Sequence, residues 1–216
     1  NKVLLLTTSN RWPGSEKDDE IPKSTQLAMF IQEQLGEEKS ELIQVPELKI
    51  HHCTASISSS EGNRCGLKDA LLKSDTKNPS GNLRCWTSFN NEDDQLWKIT
   101  KPLFESDCVV IFGSVRWGQA NSYYQKLIER LSWIENRHTT LGENNIVKDI
   151  EAGLIFIGQN WNGETVLETQ KQVLKFYGFN VVDQICWNWQ YTQDALLETP
   201  QSYKSAIKSF HNQFGI

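Results

Sequence analysis

The chain alternates short, uninterrupted apolar runs with longer runs of helical period. Residues 2–7 (KVLLLT) are almost wholly apolar, the pattern of a strand covered on both faces. Residues 24–35 follow, with Leu27, Phe30, Ile31, Gln34 and Leu35 at helical spacing. A second, shorter strand is predicted at 41–45. Residues 93–104 read as a helix carrying Leu96, Trp97, Ile99 and Leu103 and bent near Pro102. A third strand is predicted at 107–113. Ala120, Tyr123, Tyr124, Leu127, Ile128, Leu131 and Ile134 then trace one helix face. A fourth strand at 153–158 leads to a helix over 164–177 that ends at Gly178, and a fifth strand covers 180–186. Residues 202–214 close the pattern as a helix bearing Tyr203, Ile207, Phe210 and Phe214.

Strand–helix alternation of this kind predicts an α/β fold, a doubly wound five-stranded parallel sheet of order 2-1-3-4-5 with helices on both faces. Residues 1–216 read as a single domain with one long insertion at about 46–91, between strand 2 and its following helix. In such sheets ligands bind outside the carboxyl ends of the strands, at the switch in strand order. That directs attention to three loops. The first, after strand 1, contains Thr8, Ser9 and Arg11 and enters its helix through Lys23, Ser24 and Thr25, where free amides and hydroxyls make an anion seat. Taken alone, Ser24 reads equally as an ordinary N-cap. The second is Ser114, Val115, Arg116, Trp117 and Gly118. The third, Gly158, Gln159, Asn160, Trp161, Asn162 and Gly163, is again glycine-bounded, polar and aromatic, although its residues singly are also good turn formers. Together the loops describe a phosphate seat, an aromatic wall and a rim of amide donors, suited to a flat phosphorylated ligand.

Composition narrows the field. A net charge of −5 argues against a broad nucleic-acid-binding face. The apolar runs are strand-sized, so no membrane span and no signal peptide are expected. Walker-type and dinucleotide glycine patterns are absent from the first loop. Five cysteines, an odd number in a chain of 216 residues, point to a reducing, cytoplasmic setting. Within the insertion, Cys53, Cys65 and Cys85 are separated by 12 and 20 residues, which is neither iron–sulfur nor zinc-knuckle spacing, and His51 and His52 do not repair it. No metal is therefore assigned; Cys53 and Cys85 read as buried small hydrophobes, Cys65 as a loop residue, and Cys108 and Cys186 as core. Glu129–Arg130 and Glu135–Arg137 read as ordinary surface or interhelical ion pairs. Trp187, Trp189 and Tyr191, placed beyond strand 5, are expected to pack an oligomer interface or wall a neighbouring subunit's pocket.

These loops resemble those of the flavodoxin-like NADPH-dependent FMN reductases, a family that includes NAD(P)H quinone oxidoreductases. The match lies at Ser9, Arg11, Ser24 and Thr25 in the first loop and at Ser114, Trp117, Lys126, Glu129 and Arg130 in and after the second. Val115 stands where the family usually has proline. The resemblance implies FMN, with its phosphate at Ser9, Arg11, Ser24 and Thr25; Lys23, at the same helix entry, is expected among the cofactor-binding residues. Its isoalloxazine would lie against Ser114, Val115, Arg116, Trp117 and Gly118 and against Gln159, Asn160, Trp161 and Asn162, with Gly158 a further cofactor-binding residue. It implies hydride transfer from NADPH or NADH through FMN to an acceptor such as a quinone or free flavin, without a catalytic side chain, in a homodimer or homotetramer. The alternative is a flavodoxin-fold binding or regulatory protein with weak or lost flavin chemistry. His138 reads as a cationic helix C-cap, with contact to a nicotinamide or quinone as the alternative. Glu16, Asp18, Asp19 and Glu20 crowd the first loop and are expected to swing into water, where salt screens them.

Overall fold

In the computed structural model the described residues are 1–11, 20–158 and 161–215. The chain folds in the order β1 (Val3–Thr7), α1 (Lys23–Leu35), β2 (Ser40–Gln44), α2 (Trp86–Asn90), α3 (Trp97–Phe104), β3 (Cys108–Arg116), β4 (Gln119–Ala120), α4 (Ser122–Thr139), β5 (Glu151–Ile157), α5 (Gly163–Tyr177), β6 (Asn180–Trp189), α6 (Pro200–Lys204) and α7 (Ala206–Phe214). The parallel sheet runs β2-β1-β3-β5-β6, which is the predicted order; β4 pairs only with the end of β3.

Strand alternation explains why the apolar runs are continuous. Leu4, Leu6, Val109, Ile111, Leu154 and Phe156 face a core completed by α3, α4 and α5. Leu5, Val110, Phe112 and Ile155 face the opposite core, closed by Leu27 and Ala28 of α1 and by Ala206 and Phe210 of α7. Both faces are covered, as a doubly wound sheet requires.

Several predicted elements change. β3 runs three residues past its expected end at 113, through Ser114, Val115 and Arg116, and turns back through Trp117 and Gly118 into β4. The second loop is thus a β-hairpin, with Val115 opposite Ala120 and Arg116 opposite Gln119. Both turn residues have positive φ, 51° at Trp117 and 70° at Gly118, the conformation of a type I′ turn. The helix expected over 93–104 is shorter, and Pro102 lies inside it. The C-terminal helix is two, meeting at Ser205. β6 extends to Trp189, so Trp187 and Trp189 belong to the strand, not to a segment beyond it. Trp189 is fully buried, and Trp187 stacks on Phe214 and meets Phe210 edge-on. The expectation that these tryptophans form an interface is corrected: α7 covers them.

The insertion folds against α4. Arg130 has no exposed surface and makes a bidentate pair with Asp94, Nη1–Oδ1 2.7 Å and Nη2–Oδ2 2.9 Å. It also donates to the His51 carbonyl and to Ser88 Oγ, each at 2.8 Å. Arg137 donates to the Asn82 carbonyl at 3.0 Å and to Glu143, which also receives Arg84. Lys126 reaches the Ile50 carbonyl. The surface ion pairs expected at Glu129–Arg130 and Glu135–Arg137 are therefore overturned: Arg130 and Arg137 are buried under the insertion and pair with Asp94 and Glu143.

Candidate functional site

At the carboxyl ends of β1, β3 and β5 lies a pocket of about 600 Å³. Its floor and near side come from Ser9, Asn10, Arg11, Pro22, Lys23 and Ser24, and its far side from Ser114, Val115, Arg116 and Ile157. The remaining wall, Tyr191, Ala195, Glu198 and Tyr203, comes from the segment after β6 and from α6. A smaller cleft of about 420 Å³ at the outer edge of β2 and α3 lies away from these strand ends.

Seven of the sequence-predicted residues thus meet at one place: Ser9, Arg11, Lys23, Ser24, Ser114, Val115 and Arg116. Thr25 is buried behind them. Trp117 stands at the hairpin tip with 90% of its surface exposed, and Trp161 is 60% exposed, so neither lines the pocket. Gly118 packs beside Trp161; a Cβ there would sit 3.2 Å from its ring. Gly158 packs on Val115 and donates to the Trp189 carbonyl at 3.2 Å. Gln159 and Asn160, with the acidic Glu16, Asp18 and Asp19, lie outside the described residues.

The seat at α1 is built differently from the N-cap reading. Pro22 occupies the cap position, and Ser24 lies inside the first turn. No side chain among the described residues caps the helix, so the first-turn amides precede any helical acceptor. Lys23 is only 5% exposed, and its Nζ donates to Gln26 Oε1 at 2.8 Å. Burial, partly offset by Glu20 and Glu198, lowers its pKa from 10.5 to about 8. Arg11 pairs with Glu20 at 3.0 Å. Of the four loop acids, this one turns toward the seat, contrary to the expectation that all point to water. Even so, among the described residues the seat carries Arg11, Lys23 and Arg116 against Glu198 in the lining and Glu20 beside Arg11, a local excess of cations in a chain of net charge −5. The hydroxyl of Ser114 is buried at this wall without a partner among the described residues.

The residue that organises the site escaped sequence reasoning. Asn121, 1% exposed, stands at the N-cap of α4, yet its side chain does not cap the helix. Its Oδ1 accepts from Ser114 N at 3.0 Å, and its Nδ2 donates to Asn10 Oδ1 at 2.8 Å and to the Thr8 carbonyl. Thr8 Oγ1 completes the stitch by donating to the Phe112 carbonyl at 2.9 Å. An asparagine opening a helix was the available signal, but it pointed to capping. The third loop is locked as well: Asn162 Nδ2 donates to the Gly118 carbonyl at 2.8 Å.

Cys53, Cys65 and Cys85 converge on one small cavity with Arg130 and Trp133; Cys85 is buried as expected, but Cys53, expected to be buried with it, is half-buried like Cys65. Burial, with the neighbouring thiols, pushes the Cys65 thiol up to about 12. Among the described residues no group of three or more His, Cys, Asp or Glu is arranged to hold a metal ion. No helix among them is long and apolar enough to cross a membrane.

No protein-family profile matches the chain, and no curated protein sequence does. Solved structures do resemble it. One is RosB with a bound intermediate, 8-demethyl-8-formylriboflavin-5′-phosphate, at TM-score 0.64 and 17% identity, covering 98% of this chain and 71% of that one. A second is a putative quinone reductase from Klebsiella pneumoniae, at TM-score 0.59 and 14% identity, covering 100% and 84%. A third is an azoreductase from Bacillus anthracis, at TM-score 0.55 and 11% identity, covering 99% and 96%. At these identities the likeness establishes the architecture: this is a flavodoxin-like fold.

Proposed function

We propose that the protein is an FMN-binding flavoprotein oxidoreductase that passes a hydride from NADPH or NADH through FMN to an acceptor such as a quinone or free flavin. The observation that carries the reading is the cation-rich pocket at the carboxyl ends of β1, β3 and β5, where this fold binds its ligands. The residues present fit the group. Arg11, Lys23, Ser9, Ser24 and the first-turn amides of α1 suit a phosphate monoester. The unpartnered Ser114 hydroxyl and the hairpin edge suit the polar rim of a ring. Support also comes from the names of the fold's neighbours, among them a quinone reductase, an azoreductase and a protein holding a riboflavin-5′-phosphate derivative.

Bound flavin supplies the redox chemistry, and the chain's own residues bind, orient and tune it. Arg11 and Lys23 would hold the phosphate by charge. The Ser114 hydroxyl would set the ring's orientation, while Asn162, bonded to the Gly118 carbonyl, holds the hairpin against the β5–α5 loop. No general base is required of the protein.

Flavin titration of the purified protein tests this. We expect uptake of FMN with visible flavin absorbance, bleached by NADPH or NADH. Protein that takes up no FMN sinks the reading. Protein that takes up FMN but is bleached by neither nucleotide supports instead a binding or regulatory role, which the Arg11–Glu20 pair inside the seat favours.

A further inference from the structure

We propose that Tyr203, carried back to the site by the C-terminal helices, is a positioning residue of the anion seat, and that it makes the pocket select a phosphate monoester over an uncharged ligand of the same shape. This rests on the flavin-phosphate reading above and assigns a part in it to a segment outside the three strand–helix loops.

One side chain touches both cations of the seat. The Tyr203 hydroxyl donates to the Ile21 carbonyl at 2.6 Å and accepts from Arg11 Nη2 at 3.3 Å. Its ring face lies 3.2 Å from Lys23 Nζ. The tyrosine is itself held in place: Thr199 and Ser202 form a capping box at the start of α6, and α7 is anchored to β6 through Phe210 and Phe214 on Trp187.

Among the described residues, Arg11 without Tyr203 would be tied only to Glu20, in a pair whose side chains are 42% and 45% exposed. Exposed pairs of long side chains hold geometry weakly. The hydroxyl fixes the other end of the guanidinium, leaving its remaining donors toward the pocket. For Lys23 the ring removes water while its π face offsets part of that cost. Among the described residues, the groups facing Lys23 are Arg11 after β1, Glu20 before α1, Gln26 on α1, and Glu198 and Tyr203 from the C-terminal segment; Arg116 reaches the same pocket from the hairpin. With a pKa of about 8, Lys23 is charged at neutral pH and loses its proton just above it. A phosphate dianion favours the protonated form, so affinity falls as pH rises through about 8.

The experiment is titration of FMN and of riboflavin, which lacks the phosphate, by flavin fluorescence between about pH 6.5 and about pH 9.5. Wild type should bind FMN more tightly than riboflavin, with the advantage fading through about pH 8. Tyr203→Phe keeps the ring and loses the hydroxyl; FMN affinity should fall by about three- to tenfold, with the pH midpoint unchanged. Tyr203→Leu loses both; FMN affinity should fall about tenfold or more, and the midpoint should move upward as water returns to Lys23. Riboflavin affinity should stay unchanged in both. Wild-type FMN affinity and midpoint in both variants would overturn the role of Tyr203 while leaving the phosphate reading intact. Equal wild-type affinities for FMN and riboflavin would overturn the phosphate reading itself. If the leucine variant does not fold, Tyr203→Phe decides: an unchanged FMN-to-riboflavin ratio, or an equal loss for both ligands, rejects the proposal.

Discussion

Trp117 occupies a backbone conformation that suits glycine or asparagine, with φ of 51° and its indole 90% in water. For an L-residue with a bulky side chain the left-handed region costs about 1–2 kcal/mol, and the first position of a type I′ turn favours asparagine. Trp117→Asn should therefore stabilise the fold by about 1 kcal/mol, raising the melting temperature by about 2–4 °C. A thermal melt checks it, and an unchanged or lower midpoint would mean that the turn is not strained. A bulky aromatic kept at such a position is the kind of local strain that collects at functional sites. The sequence marked Ser114 to Gly118 as a ligand loop but hid the hairpin, because Trp-Gly is not one of the dipeptides that announce a type I′ turn.

Among elements, α4 works on two faces. Tyr124, Leu127, Leu131 and Ile134 pack in the core beneath the sheet, as their spacing predicts, while Lys126, Arg130 and Arg137 bind the insertion. Replacing Arg130 by methionine would leave Asp94 buried and uncompensated, which costs about 3–5 kcal/mol. Urea denaturation should show that loss, and the double variant Arg130→Met/Asp94→Leu should recover most of it; a single variant as stable as wild type would mean that water reaches Asp94. The central strands β1, β3 and β5 were legible because burial on both faces leaves them runs such as Leu4–Leu6, Val109–Phe112 and Leu154–Phe156 without a polar position. The role of Arg130 was not, because its partner lies 36 residues away and helical spacing around Arg130 shows only neighbours on its own helix. Tyr203 was read as part of an apolar helix face for the same reason: its partner Arg11 lies 192 residues distant. The first helix's entry was legible as a seat and misread in detail, since Pro22, not Ser24, stands at the cap.

For the whole molecule, the buried pair sets a response to acid. Burial alone would raise the Asp94 carboxyl, but the bonds from Arg130, His51 N and Ser88 outweigh it and hold the pKa below the usual 3.8. A depressed carboxylate contributes stability that is present above its unfolded value and lost as pH falls through the folded one. Wild type should therefore lose stability as pH drops below about 4, and Arg130→Met/Asp94→Leu should lose less over the same window. Unfolding midpoints measured across that range decide it, parallel slopes counting against the pair as a source of acid sensitivity. The sheet order, legible from the alternation of elements, brings the ends of β1, β3 and β5 together; which distant segment closes the pocket depends on the path of the chain after β6.

Asn121 gives the site a fixed span. One amide grips the Thr8 carbonyl and Asn10 on the anion side and the Ser114 amide on the hairpin side. The loop after β1 is thereby tied to the hairpin strand, and the length of a single asparagine side chain sets their separation. Ligands carrying the right groups at the wrong separation would satisfy one end and miss the other. Selection by length would then come from a buried side chain that the ligand itself need never touch.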